Sequence, residues 1–253
     1  MSETPETTVP QPPAERVFPP WSVGRIVLWT SVFQGVSIFS VVPITLLVVS
    51  LGIWLNQGVD ASVVELSRLI IRAISGPAAL ALIVGCTRRA GFSLTDLWGS
   101  SPIALRQIVP TALLGIAFMS SVGLLSRIVF GDLPRTAPSA PWDWRLLFAV
   151  EILSDAVIVV IAEELLFRGL LYRAFRLRYP IWMSIMFSTF IFSLIHTHYL
   201  YSPFQQGVVF LLGAISALLF ERTQSLNSSI AFHAAANATT ISVEYLSSFV
   251  ELF

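Results

Sequence analysis

The sequence predicts an all-α protein, a polytopic transmembrane helical bundle with about seven spanning helices. Two observations predict it. Of 253 residues, 55% are hydrophobic and 12% charged, about half the charged fraction of an ordinary soluble domain. Several apolar runs also exceed the roughly 18 residues that mark a candidate membrane span. A soluble reading would bury most of these runs in one core and leave the domain without a polar surface.

Seven apolar segments follow one another, over residues 26–55, 66–87, 105–130, 146–172, 181–200, 204–221 and 225–249. Breakers separate them: Asn56-Gln57-Gly58, Gly91-Phe92-Ser93 with Ser101-Pro102, the stretch Pro134 to Pro141, Pro180, and Ser202-Pro203. Residues 1–20 are polar and rich in Pro, Thr and Glu, without the basic start and apolar core of a signal peptide. They are expected to form a disordered tail. Residues 21–144 then supply N-terminal transmembrane helices, and residues 145–253 form the core that holds the candidate site. Between them, residues 88–104 carry Phe92, Leu94, Leu97 and Trp98 among polar neighbours, a pattern suited to the membrane surface.

Charge placement gives an orientation. Arg16, Arg25, Arg88, Arg89, Arg106, Arg173, Arg176, Arg178 and Arg222 fall on one side, which the positive-inside bias makes cytoplasmic. Fifteen basic and fifteen acidic residues give no net charge, so nothing points to nucleic acid as a partner; the partner implied is the lipid bilayer. A single cysteine, Cys86, rules out an intrachain disulfide.

Ionisable side chains inside a bilayer are costly and mark function by default. Glu163 and Glu164 are adjacent, and Arg168 lies four residues after the second. On a helix Glu164 and Arg168 share a face and can pair. Glu163 is rotated about 100° away, which leaves it free to point into the bundle. His196 follows Phe192 by four residues, and His233 precedes Asn237 by four, with three alanines between them. Glu151, Asp155, Glu244 and His198 read as interfacial residues near segment ends.

Depth joins the intramembrane groups. Glu163 precedes Arg173 by ten residues and His233 follows Arg222 by eleven, so both lie roughly 15 Å from the inner interface at 1.5 Å per residue. Pro180 stands nearly midway between Glu163 and His196, and antiparallel segments return those two to similar depth. A carboxylate and a histidine facing one cavity can hold and deprotonate a water, while a histidine and an asparagine can donate to an oxyanion. These parts suit hydrolysis of an acyl bond, most simply a peptide bond. No G-x-S-x-G elbow and no H-E-x-x-H zinc motif occurs.

At these residues the chain resembles the type II CAAX prenyl proteases, also called the CAAX protease and bacteriocin-processing (Abi) family. Glu163, Glu164 and Arg168 fit its EExxxR motif, Phe192 and His196 its FxxxH motif, and His233 and Asn237 its HxxxN-type motif. The resemblance spans roughly residues 145–245. It implies an intramembrane glutamate-type endopeptidase without a cofactor, acting on a membrane-associated or C-terminal CaaX-like protein or peptide, prenylated or not. Glu163 would be the general base, His196 would help hold the water, His233 and Asn237 would form the oxyanion hole, and Glu164 with Arg168 would orient the site. In a prokaryote the multi-pass chain would sit in the plasma membrane. Three rivals stand beside this reading: a zinc enzyme ligated by His196, His233 and a glutamate, a non-enzymatic immunity or scaffold protein, and a proton-coupled transporter. Transporters often carry internal repeats, and none is visible here.

Overall fold

The computed structural model describes residues 21–28, 46–47, 50, 53, 61–99, 105–131, 144–196 and 202–250. Most of the first apolar segment, the expected tail, His198 and the Pro134–Pro141 loop lie outside the described residues. No strand occurs among the described residues, and an isolated antiparallel bridge joins Gly99 to Ser225. The all-α expectation is met. The described residues contain two helices long and apolar enough to cross a membrane, Arg106–Phe130 and Pro203–Thr223.

Helix α1 (Ala61–Arg89) contains Pro77. It stops at Gly91, whose φ of 82° an L side chain would adopt only with strain. The Gly91 N–H donates to the Arg88 carbonyl and the Phe92 N–H to the Thr87 carbonyl, the paired bonds of a Schellman ending. Ser93 then caps α2 (Leu94–Trp98). Its hydroxyl accepts from the Asp96 N–H, and the Asp96 carboxylate accepts from the Ser93 N–H at 2.6 Å, so two otherwise unpaired donors are satisfied reciprocally.

This short helix does more than lie along a surface. Leu97 is fully buried in the main core. Trp98 Nε1 donates to Asn227 Oδ1 at 2.7 Å, and Arg173 donates to the Asp96 carbonyl. Gly99 (φ 99°) packs against the backbone of Gln224, where a Cβ would come within 2.3 Å of the carbonyl oxygen. Residues 94–99 are thereby fastened to the end of the bundle that carries Arg173 and Arg222.

Helix α3 (Leu105–Phe130) exposes Val109, Leu113, Leu124, Leu125 and Ile128 along its length. So much contiguous apolar surface suits lipid rather than water. Residues 144–176 form one helical run: α4 (Trp144–Glu151), a π-helical stretch Ile152–Ile158, α5 (Val159–Glu164), a second π stretch Leu165–Tyr172, and α6 (Arg173–Arg176). All eight residues of the second π stretch are buried. Helices α7 (Ile181–Ile195), α8 (Pro203–Thr223) and α9 (Leu226–Val250) complete the bundle. Helix α7 is shorter than the apolar run 181–200 suggests, because His196 leaves helical geometry at φ −80°, ψ 58°.

The core is built from the 144–176 run and its neighbours: Leu165, Phe167, Leu171, Tyr172, Phe192, Phe220, Leu226 and Phe232 have almost no exposed surface. At the end away from the site, Glu221 accepts from Tyr172 Oη at 2.7 Å and pairs with Arg176 at 3.2 Å. These contacts pin α8 to the 144–176 run.

The cap on α2 gives a pH-dependent prediction. The hydrogen bond from the Ser93 backbone, followed by that from its hydroxyl, holds the Asp96 carboxyl below its ordinary value. The stability it contributes is therefore present above the unfolded-state range and lost as pH falls through the folded-state range. Asp96→Ala should lower the melting temperature in detergent at neutral pH, with the difference from the parent vanishing in acid. Ser93→Ala should cost about 1 kcal/mol. An Asp96→Ala deficit that is constant across the titration would contradict this account.

Candidate active site

Helix α5 carries the two glutamates in its last turn and presents them differently. Glu164 is 0% exposed, Arg168 2% and His233 3%. The Glu163 and His196 side chains retain 20% and 17%. The first three form a buried unit, and the other two are partly exposed.

The buried unit centres on one oxygen. Glu164 Oε1 accepts from Arg168 NH1 at 2.8 Å and from His233 Nδ1, also at 2.8 Å. Arg168 spends its second nitrogen on the Gly213 carbonyl at 2.9 Å. Its guanidinium lies 4.7 Å from the centre of the Phe192 ring, within cation–π range. Phe192 also meets the rings of Phe167 edge-on at 5.0 Å, His196 at 4.6 Å and His233 at 5.9 Å. One phenyl ring therefore spaces the arginine and both imidazoles, which accounts for an aromatic residue four positions before His196.

The open side is set by hydrogen-bond complementarity. His196 Nδ1 lies 2.8 Å from the Phe192 carbonyl. A carbonyl only accepts, so Nδ1 carries the hydrogen and Nε2 of the neutral ring keeps its lone pair. That Nε2 lies 3.8 Å from Glu163 Oε1, and His233 Nε2 lies 3.7 Å from Glu163 Oε2. Both gaps are too long for direct hydrogen bonds.

Asn237 sits one turn beyond His233. Its Nδ2 donates to the Asp155 carbonyl at 3.1 Å, inside the first π stretch. A carboxamide has two N–H bonds, so one remains for another acceptor. The Asp155 carboxylate accepts from Ser154 Oγ at 2.7 Å. Glu244 is exposed and Glu151 half-buried. Among the described residues, no group of three His, Cys, Asp or Glu side chains is arranged to hold a metal ion.

The structure thus brings Glu163, Glu164, Arg168, His196 and His233 into one cluster and places Asn237 beside it. Two glycines that sequence reasoning passed over make this packing work. A Cβ on Gly213 would lie 2.9 Å from the Phe192 ring and 3.1 Å from Thr189. A Cβ on Gly115 of α3 would lie 2.2 Å from the Phe232 carbonyl and 3.1 Å from the Ala236 nitrogen. Helix α3 therefore abuts the backbone of α9 at the turn that holds His233. Each glycine stands alone in an apolar run, with no motif to single it out.

The site is thus a set of buried ionisable groups, with one carboxylate facing two imidazoles, inside a helical bundle with an apolar outer face. Residues 145–239 match the family described as type II CAAX prenyl endopeptidase, Rce1-like. The resemblance carried by the three motifs is met by that match, which covers the part of the chain that carries them. No curated protein and no solved structure matches the chain.

Two predictions follow from the packing. Arg168→Ala would leave Glu164 buried with its cationic partner gone, at a cost of about 3–5 kcal/mol; Arg168→Lys should recover little, since one ammonium does not reproduce the fork that spans Glu164 and Gly213. Thermal unfolding in detergent measures both, and an Arg168→Ala protein as stable as the parent would refute the assignment. Gly115→Ala should destabilise by about 1–3 kcal/mol through overpacking. Gly123→Ala on the same helix should not, because nothing lies within 4 Å of its Cβ position.

Proposed function

We propose that this chain is an intramembrane glutamate-type endopeptidase. The observation that carries the proposal is the position of Glu163, opposite the Nε2 atoms of both His196 and His233 at 3.8 and 3.7 Å, while Glu164 is bound through Oε1 to Arg168 and His233. The substrate is a membrane-associated or C-terminal CaaX-like peptide, prenylated or not. The protein crosses the membrane about seven times and, in a prokaryote, resides in the plasma membrane.

In this reading a water sits between Glu163 and His196, donating one hydrogen to Glu163 Oε1 and the other to His196 Nε2. Glu163 takes its proton as general base, and the hydroxide adds to the scissile carbonyl. The resulting oxyanion accepts from His233 and from the second N–H of Asn237. With His233 Nδ1 committed to Glu164, the donor is Nε2–H, so the acting form of His233 is the imidazolium. Glu163 then gives its proton to the leaving amine as the C–N bond breaks, which restores the carboxylate. Glu164 and Arg168 do no proton chemistry; they fix the orientation of the His233 ring. No metal takes part in this scheme.

The test uses purified protein in nanodiscs and a quenched peptide library that includes prenylated CaaX peptides, with and without chelator. Wild type should cleave and be indifferent to chelator. Glu163→Gln keeps the shape of the side chain and removes the base, so it should lose about 100-fold or more in kcat while unfolding at the parent's temperature. Cleavage abolished by chelator would move the reading to a zinc enzyme, and full activity in Glu163→Gln would remove Glu163 from the mechanism.

A further inference from the structure

Helix α7 ends at the depth of the site, and a helix ending there has an unmet requirement. Its last carbonyls lose their intrahelical partners, and in a bilayer interior such groups must find others within the protein. The Phe192 carbonyl is taken by the His196 ring and the Ser193 carbonyl by the His196 N–H at 3.2 Å. Ser193 receives a second and shorter bond, 2.5 Å, from Nε2 of Gln206 on α8.

Gln206 is well placed to act as a fixed post. Ser202 caps α8 and Pro203 occupies its first turn, the residue pre-set for a helix start. The Gln206 N–H closes that turn onto the Ser202 carbonyl at 2.9 Å. Gln206 Oε1, by contrast, is buried and accepts no hydrogen bond among the described residues. A buried unsatisfied amide oxygen costs stability, so the side chain is held here in spite of that cost, with its donor aimed at one carbonyl. That carbonyl belongs to the turn from which both the His196 backbone and its ring take their bearings.

We propose that Gln206 is a positioning residue for His196: its carboxamide clamps the open end of α7 so that His196 Nδ1 stays on the Phe192 carbonyl and Nε2 stays directed at Glu163. Without the clamp the last turn frays, and the ring samples other orientations and the other tautomer. The catalytic consequence rests on the glutamate-protease reading above; the coupling between Gln206 and His196 does not.

The experiment separates the two. Wild type, Gln206→Met and Gln206→Glu are prepared in nanodiscs with ¹⁵N-labelled histidine, and the His196 ring signals are assigned with His196→Gln. Met conserves volume without a donor, whereas Glu sets an acceptor against the Ser193 carbonyl. In wild type the His196 signals should report a single tautomer with hydrogen on Nδ1; in both variants they should broaden or shift towards a mixture, while the His233 signals stay in place. In the peptide assay kcat should fall roughly 10-fold or more with KM nearly unchanged, the mark of lost positioning rather than lost substrate binding. Unchanged His196 signals in both variants overturn the proposal, whatever the activity. A rise in KM with kcat intact also overturns it, by assigning Gln206 to substrate contact. If wild type cleaves nothing but the His196 signals respond as stated, the clamp stands and the protease reading fails.

Discussion

Everything around the site depends on one buried carboxylate shared between an arginine and a histidine. Glu164 Oε1 accepts from Arg168 and from His233 at equal distance, and so ties α5 and the second π stretch to α9. An anion with no exposed surface inside a bilayer core survives only when compensated. The arginine compensates it and reaches onward to the Gly213 carbonyl on α8. Four helical segments are thereby brought into register by a single ion pair and its two further hydrogen bonds. Apolar packing of Phe167, Phe192 and Phe232 surrounds this unit and seals it, but the polar contacts decide which helix faces meet.

The division of labour between the glutamates follows from position rather than chemistry. Both are identical side chains in one helical turn. One points into the packed interior, where its Oε1 is held by two fixed donors. The other points at two imidazole nitrogens across gaps too long for direct hydrogen bonds. Phe192 braces that arrangement, because its ring packs against the guanidinium and both imidazoles and its carbonyl sets the tautomer of His196.

Much of this was legible in the sequence. The Glu164–Arg168 pair follows from i,i+4 spacing, the shared face of His233 and Asn237 from the same rule, the depth of Glu163 and His233 from counting residues to the flanking arginines, and that of His196 from the turn at Pro180. Other features were not legible, for physical reasons. The bond between His233 and Glu164 joins residues 69 positions apart, and no local pattern encodes where a distant ring points. Helix α7 stops at Ile195 because of the dihedral angles of one residue, within an apolar run that reads as continuous. The π stretches cover seven and eight residues, too few for their wider turn to show against a 3.6-residue period. Gly213, Gly115 and Asp155 act through backbone atoms or through the absence of a side chain, and neither leaves a mark in residue type.

The approach of α3 to α9 bears on how far the matched segment is self-sufficient. The stretch that matches the endopeptidase family begins at residue 145, whereas Gly115 and Phe118, which cover Phe232 and Ala236 from outside, lie well before it. Cut at the family boundary, the segment would keep every ionisable residue of the site and lose the wall behind His233. The family signature and the unit that folds as a working whole are therefore different objects. A transplant of this site into another membrane scaffold would have to carry the seemingly featureless helix along with the motifs.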